Sequence, residues 1–389
     1  MIKIQLDEPV VVAQAGAGVR HWGPYQFPSI QWLPDGRLAV GFHVEADSAV
    51  AYGKRGAFYV SADEGHSWEP VAWDSIPMWS NSGKIWTLPN GDQLRQEPLR
   101  SIDPGPVRDR LPEPVGTGQS GYGHTIEFFK EEEIPADLKG FRFSRKGAGS
   151  TEWVEEQAEV KLPGALQRIY MEVLVFPWFT MMQQAPDGSL WGILYDRRWV
   201  HGAITPNIES IFTHSADGGR TWEYRSSIPY QPDPSADLHA AERAGFTEPN
   251  LVHLPDGSIF ALLRTTDGIG PGPMYRARSE DDGNTWSQPV VFDDLGVYPA
   301  LLSLKNGVTL ASYGRPGLYL RATADSSGRE WDDRITIVEP GDLGRDTCSY
   351  TDLCPLSDHE ALLVYSDFNY PDLDGAPVKT ILVRKVTVL

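Results

Sequence analysis

The sequence predicts an all-β chain folded as a six-bladed β-propeller, with an insertion in the second blade. Three observations lead there. A Pro-Asp-Gly-type turn between apolar runs recurs six times, a Ser-x-Asp-x-Gly-x-Thr-Trp turn recurs between its copies, and 38 Gly and 31 Pro accompany 13 Trp and 15 Tyr among 389 residues. That composition favours turns and strands over a helical bundle.

The first turn reads PSIQWLPDGRLAVGF from Pro28, KIWTLPNGDQL from Lys84 and MMQQAPDGSLWGIL from Met181. It returns as PNLVHLPDGSIFALL from Pro249, PALLSLKNGVTLASY from Pro299 and, more loosely, TDLCPLSDHEALLVY from Thr351. Each is two short β-rich runs around a tight turn, which is a hairpin signal. The second turn is SADEGHSW from Ser61, SADGGRTW from Ser215 and SEDDGNTW from Ser279, with a worn copy from Thr323 to Trp331 and a very weak one ending at Trp153. An Asp carboxylate there can accept from backbone N–H groups, Gly supplies a positive φ, and Trp packs the turn onto a neighbouring sheet. Each unit is therefore four antiparallel strands, and six such units make a propeller of one domain spanning residues 1–389. The last unit lacks one strand, which the N-terminal IKIQLDEPVVV is expected to supply. The second unit is longer, and its excess, about residues 95–166, is expected to be an inserted flap.

A net charge of −19 argues against nucleic acid and anionic membranes as partners, because both reward clustered Lys and Arg. An anionic ligand would need a local cationic pocket within about 8–10 Å. The N-terminal MIKIQLDEPVVVAQ has no long apolar run, so no signal peptide and a cytoplasmic location are expected. The apolar stretch from Tyr170 to Met182 is broken by Glu172 and Pro177 and is too short to span a bilayer. Cys348 and Cys354, on one extended strand, would stand roughly 20 Å apart and could not bridge. The histidines are scattered without ligand spacing, so no metal or cofactor is expected.

Strand order also sorts the faces. Both recurrent turns fall on the bottom face, which makes them architectural. Chemistry is then expected at the top, just before first strands and just after second strands. Those positions hold Gln26, with Arg20 and His21 upstream, and His43, Glu45 and Asp47 in unit one. Unit three adds Trp178, Tyr195, Asp196, Arg197 and Arg198. Unit four gives Glu248 and Arg264, unit five Tyr298 and Arg315, and unit six Tyr350 followed by Asp352.

The repeated turns and this set resemble the sialidase (neuraminidase) superfamily, whose members carry such "Asp boxes" on a six-bladed propeller. The resemblance covers nearly the whole chain apart from the excess in unit two. It implies an exo-acting retaining glycoside hydrolase acting on a terminal acidic sugar, a small carbohydrate or glycoconjugate. Tyr350, in SYTDL, matches the nucleophile segment, and Glu248 before Pro249 matches the glutamate that activates it. Arg264, closing FALLR, and Arg315 match the second and third arginines of a carboxylate-binding triad. Asp47 is the nearest match to the general acid, with Glu45 and His43 as rivals. Gln26, in Tyr25-Gln26-Phe27-Pro28, stands where the family has the first triad arginine. It can donate hydrogen bonds but carries no charge. Arg20 is a candidate to reach in from the preceding loop, and the glycone expected is a related keto-sugar acid or a uronic acid. A tyrosine nucleophile suits a glycone whose anomeric carbon bears a carboxylate, since an anionic nucleophile would meet repulsion on the order of 4 kcal/mol at 4 Å and effective dielectric about 20. Two alternatives stand beside this: a glycosidase of the same fold using a carboxylate pair, Glu248 with Asp47 or Asp196, on a non-sialic sugar, and a non-catalytic carbohydrate-binding propeller.

Overall fold

The computed structural model describes residues 2–48, 51–77, 84–342 and 346–389. The chain is all-β, with short 3-10 turns between strands. Unit one is a four-stranded antiparallel sheet of Gln26–Trp32, Leu38–His43, Ala57–Ser61 and Glu69–Val71. Unit four repeats it with Thr247–His253, Ile259–Arg264, Met274–Ser279 and Val290–Asp293. Unit five follows with Val297–Ser303, Thr309–Gly314, Leu318–Thr323 and Ile335–Val338. In unit six, Thr351–Pro355, Glu360–Pro371 and Pro377–Val388 are completed by the N-terminal strands Ile4–Leu6 and Val10–Gln14, both antiparallel to Pro377–Val388.

Units two and three share one eight-stranded path. Met181–Gln184, Leu190–Asp196, Glu209–Ser215 and Thr221–Ile228 form unit three. Val154–Lys161 then runs parallel to Thr221–Ile228 and leads into Phe141–Lys146, Gln93–Gln96 and Ile85–Thr87. Here the expected excess of 95–166 is divided. Phe141–Lys146 and Val154–Lys161 lie inside that range yet complete the sheet of unit two. The reason is burial: Phe141, Phe143 and Ala158 pack with Leu94, Phe179 and Trp222 in one apolar cluster. The rest of that range supplies Ser101–Ile102, Gly116–Gln119 and Thr125–Lys130 to a separate five-stranded sheet, which Leu166–Tyr170 and Val173–Val175 complete, so the added sheet runs past the expected end at 166.

The recurrent Ser-x-Asp turns join third to fourth strands and bind themselves tightly. In the first, Ser61 Oγ donates to Asp63 Oδ1 at 2.8 Å, Gly65 N donates to Ser61 Oγ at 2.8 Å, and Ser67 N donates to Asp63 Oδ1 at 2.9 Å. The hydrogen bonds from Ser67, with that from Ser61, hold the Asp63 carboxyl down at about 2. The tryptophan that ends each turn packs on the preceding unit. Trp222 stacks on Phe143 of unit two at 5.8 Å, Trp286 meets Phe212 of unit three at 4.6 Å, and Trp331 meets Phe260 of unit four at 5.3 Å. Trp68 joins the cluster that holds Leu362 and Val364 of unit six. The apolar core therefore lies between sheets, and burying both faces of each sheet stabilises it by roughly 25 cal/mol per Å² removed from water.

Hydrogen bonds near first strands pass from unit to unit. Ile85 N donates to Gln31 Oε1 at 2.8 Å, Gln184 Nε2 to Thr87 O at 3.2 Å, and Gln183 Nε2 to Asn250 Oδ1 at 3.1 Å. Asn250 Nδ2 donates to Pro299 O at 2.7 Å, Ser312 and Thr351 share a hydroxyl bond at 2.9 Å, and Ile30 N donates to Asp352 Oδ2 at 3.1 Å. Unit six thus meets unit one.

Candidate active site

One backbone device aims the site. In units one, four and five the first strand opens with an X-Pro step, Phe27-Pro28, Glu248-Pro249 and Tyr298-Pro299, and each proline removes a ladder donor. The pairing register shifts at the same place, between Gln26 and Ser29, Thr247 and Asn250, and Val297 and Ala300. The residue before proline takes a positive φ of 54°, 44° and 42° respectively. Such a conformation costs a non-glycine residue on the order of 1–3 kcal/mol, and strain of this kind concentrates at functional sites. The three bulges bring Phe27, Glu248 and Tyr298 into one neighbourhood with Tyr350. Tyr298 stacks on Tyr350 with centroids 4.1 Å apart and rings 2° from parallel, and Phe27 approaches the same ring at 4.8 Å.

The Tyr350 hydroxyl donates a short hydrogen bond to Glu248 Oε1. The other carboxylate oxygen, Oε2, accepts from Arg264 Nη1 at 2.5 Å, and the same nitrogen lies 3.4 Å from Tyr350 Oη. Arg264 Nε donates to Thr266 O at 2.7 Å and Nη2 to Tyr122 Oη at 2.9 Å. Glu248 and Arg264 are buried and Tyr350 is half-buried. Burial and the Glu248 charge hold the Tyr350 phenol well above its ordinary range, with Arg264 and Arg315 pulling the other way. The phenol therefore stays protonated at neutral pH, beside a carboxylate placed to take its proton. Burial, then Glu248, raises the neighbouring Tyr195 and Tyr298 phenols as well.

Arg315 stands over the Tyr350 ring at 5.6 Å and over Trp22 at 4.7 Å, with Nε 4.0 Å from Asp346. Burial raises the Asp346 carboxyl, and Arg315 followed by Arg264 opposes this. Trp22 Nε1 donates to Asp47 Oδ2 at 3.0 Å. Asp47, His43, Tyr298 and Tyr350 line one cavity of about 260 Å³. Glu45 faces Lys54 at 3.8 Å instead. Asp196 is tied to Arg168 by a short ion pair.

Two predicted residues are placed away from this group. Arg20 spends both terminal nitrogens on backbone carbonyls, Nη1 on Phe368 at 2.9 Å and Nη2 on Pro377, so it braces the long hairpin of unit six. Gln26 is wholly buried; its Oε1 accepts from Gly23 N at 2.5 Å, and its Nε2 has no hydrogen-bond partner. Across the strand pair, His43 Nδ1 is buried without a partner too, and burial lowers the His43 pKa. The sequence reading missed Tyr122. Its signal was present in Ser120-Gly121-Tyr122-Gly123-His124, an aromatic at the tip of a glycine-flanked hairpin turn. Among the described residues, no group of three His, Cys, Asp or Glu side chains is placed to hold a metal ion.

Residues 184–373, just under half of the chain, match the family model of the BNR repeat-like domain. No curated protein matches the sequence. A protein of unknown function from Dyadobacter fermentans superposes with a TM-score of 0.67 at 18% identity, covering 99% of each chain. The Hadza microbial sialidase Hz136 superposes with a TM-score of 0.55 at 15% identity, covering 96% of this chain and 68% of its own. The NanB sialidase from Streptococcus pneumoniae gives a TM-score of 0.51 at 14% identity, covering 98% of this chain and 70% of its own. The chain shares its all-β fold with these two sialidases.

Proposed function

We propose that the chain is an exo-acting, retaining glycoside hydrolase of sialidase type that removes a terminal acidic sugar, built as a six-bladed propeller with the five-stranded sheet inserted in its second blade. The observation that carries this is the buried contact of the Tyr350 hydroxyl with Glu248, itself paired to Arg264. Tyr350 Oη attacks the anomeric carbon while its proton passes to Glu248, and the bond to the leaving oxygen breaks as Asp47 protonates that oxygen. In the second half, Asp47 takes a proton from water, the water oxygen bonds to the anomeric carbon, and Tyr350 departs, recovering its proton from Glu248. A neutral phenol approaches a carboxylated anomeric centre without like-charge repulsion. Arg264 and Arg315 bring the positive charge that such a glycone needs.

The alternative with Glu248 as one of a carboxylate pair fits less well, because both oxygens of Glu248 are already engaged, one by Tyr350 and one by Arg264. Replacing Tyr350 by Phe is expected to leave the fold intact and remove turnover of chromogenic sialosides and uronides. Undiminished hydrolysis by that variant rejects the mechanism.

A further inference from the structure

The five-stranded sheet outside the repeated units reaches the candidate site through Tyr122. Its hairpin between Gly116–Gln119 and Thr125–Lys130 carries Tyr122 at the tip, where the phenol oxygen accepts from Arg264 Nη2 at 2.9 Å. That tip is seated backbone to backbone on unit four: a Cβ on Gly268 would lie 1.7 Å from Gly121 O, and one on Gly121 would lie 3.0 Å from Asp267 Cβ. The seat is itself fixed. Asp267 accepts from Arg243 Nη1 at 3.0 Å and from Ala244 N at 3.0 Å, and Arg243 is buried.

A guanidinium has five N–H donors. On Arg264, Nε serves Thr266, Nη1 serves Glu248 and faces Tyr350, and Nη2 serves Tyr122. With Tyr122 in place, one Nη2 hydrogen remains, so a carboxylate cannot be held by two parallel bonds from this guanidinium. The Tyr122 oxygen accepts from Arg264, which leaves its own hydrogen to donate, and among the described residues none accepts it. Arg264 is 5% exposed and Tyr122 is 55% exposed, so an anion arriving from solvent meets the phenol first. Gln26, standing where the resembled family has its first triad arginine, is wholly buried and presents no donor to solvent.

We infer that Tyr122 is a substrate-contacting residue: Tyr122 Oη and Arg264 Nη2 hold the two oxygens of one glycone carboxylate, one donor to each. The added sheet thereby supplies the hydrogen bond that Gln26 does not, and Tyr122 selects carboxylated over neutral sugars. This rests on the acidic-glycone reading above.

The test is Tyr122→Phe, which deletes one hydroxyl at an exposed hairpin tip and leaves the backbone seat untouched. Binding of free N-acetylneuraminate, glucuronate and glucose is measured by ligand-observed NMR titration, independent of turnover. The expected result is that at least one acid binds the wild type more tightly than glucose, and that the variant weakens acid binding about 10- to 100-fold while glucose binding is unchanged. On any glycoside turned over, KM rises by a similar factor while kcat stays within about threefold, a split that a merely structural role would not produce. Equal acid affinity in variant and wild type overturns the inference, as does a wild type that binds neither acid. Acid binding that depends on Tyr122 without hydrolysis of any acidic glycoside supports the inference and sinks the hydrolase reading instead.

Discussion

Removing the Glu248 carboxylate perturbs stability and chemistry together, and the two can be separated. Glu248 and Arg264 are 8% and 6% exposed at their side chains and 2.5 Å apart. With charge centres about 4 Å apart and an effective dielectric of about 20, their attraction is on the order of 4 kcal/mol. Deleting one partner strands the other charge in the interior, for which the expected cost is about 3–5 kcal/mol. Glu248→Ala should therefore lower the apparent urea midpoint sharply. Glu248→Gln keeps the shape and a hydrogen-bonding oxygen for Tyr350, so it should lose less stability, yet kcat should fall by about 10²–10⁴ with the proton acceptor gone. The double variant Glu248→Leu with Arg264→Met leaves no stranded charge and should recover most of the midpoint without any activity. Urea denaturation followed by tryptophan fluorescence, beside initial rates, reads both. A wild-type midpoint in Glu248→Ala, or wild-type kcat in Glu248→Gln, would refute the reasoning.

Three further outcomes follow from the same geometry. Asp47→Asn should lower kcat/KM for substrates with poor leaving groups by about 10²–10⁴ and for activated aryl glycosides far less, because kcat/KM reports the first half of the reaction, where only the former need protonation; equal kcat/KM losses on both would remove Asp47 from the role of acid. Burial raises the phenols of Tyr195, Tyr298 and Tyr350 above their ordinary value of 10.0. The unfolded chain gives up those protons first, so the stability they contribute is full below about pH 10 and is lost as pH climbs toward the folded values. Alkaline unfolding should therefore set in near pH 10 with tyrosinate absorbance rising alongside loss of near-UV dichroism, whereas smooth ionisation of every tyrosine in a folded chain would contradict the burial. Gly283→Val should cost about 3 kcal/mol or more, since a Cβ there would lie 2.3 Å from the ring of buried Trp191 at a φ of +72°; an unchanged thermal midpoint would mean that the turn does not press on unit three as described.

The repeated turns were legible because each pairs a self-satisfied aspartate with a tryptophan that packs on the preceding unit, and both leave a fixed spacing in sequence. The group of Glu248, Arg264 and Tyr350 was legible because position within a unit dictates which strand ends share a face, and the three side chains meet there. Depth was not. Gln26 opens the first strand of unit one and Arg20 stands in the loop ahead of it, yet one amide is sealed inside and the other side chain braces the backbone of unit six, outcomes that depend on packing from distant segments. In unit two the very weak turn ending at Trp153 lacks the aspartate, so Phe141–Lys146 and Val154–Lys161 read as insertion although Phe141, Phe143 and Ala158 belong to the core. Tyr122 lies outside the repeats altogether, and only the seating of Gly121 against Gly268 brings it to Arg264.

The central claim is that the Tyr350 oxygen forms the covalent bond to sugar. A slowly released fluorinated acidic glycoside, incubated with the protein and followed by peptide mass spectrometry, tests it directly. The account predicts one adduct, on the peptide containing Tyr350, absent in Tyr350→Phe and strongly reduced in Glu248→Gln. A stable adduct on Glu248 or Asp47, or turnover of the parent glycoside with inverted anomeric configuration, would contradict it.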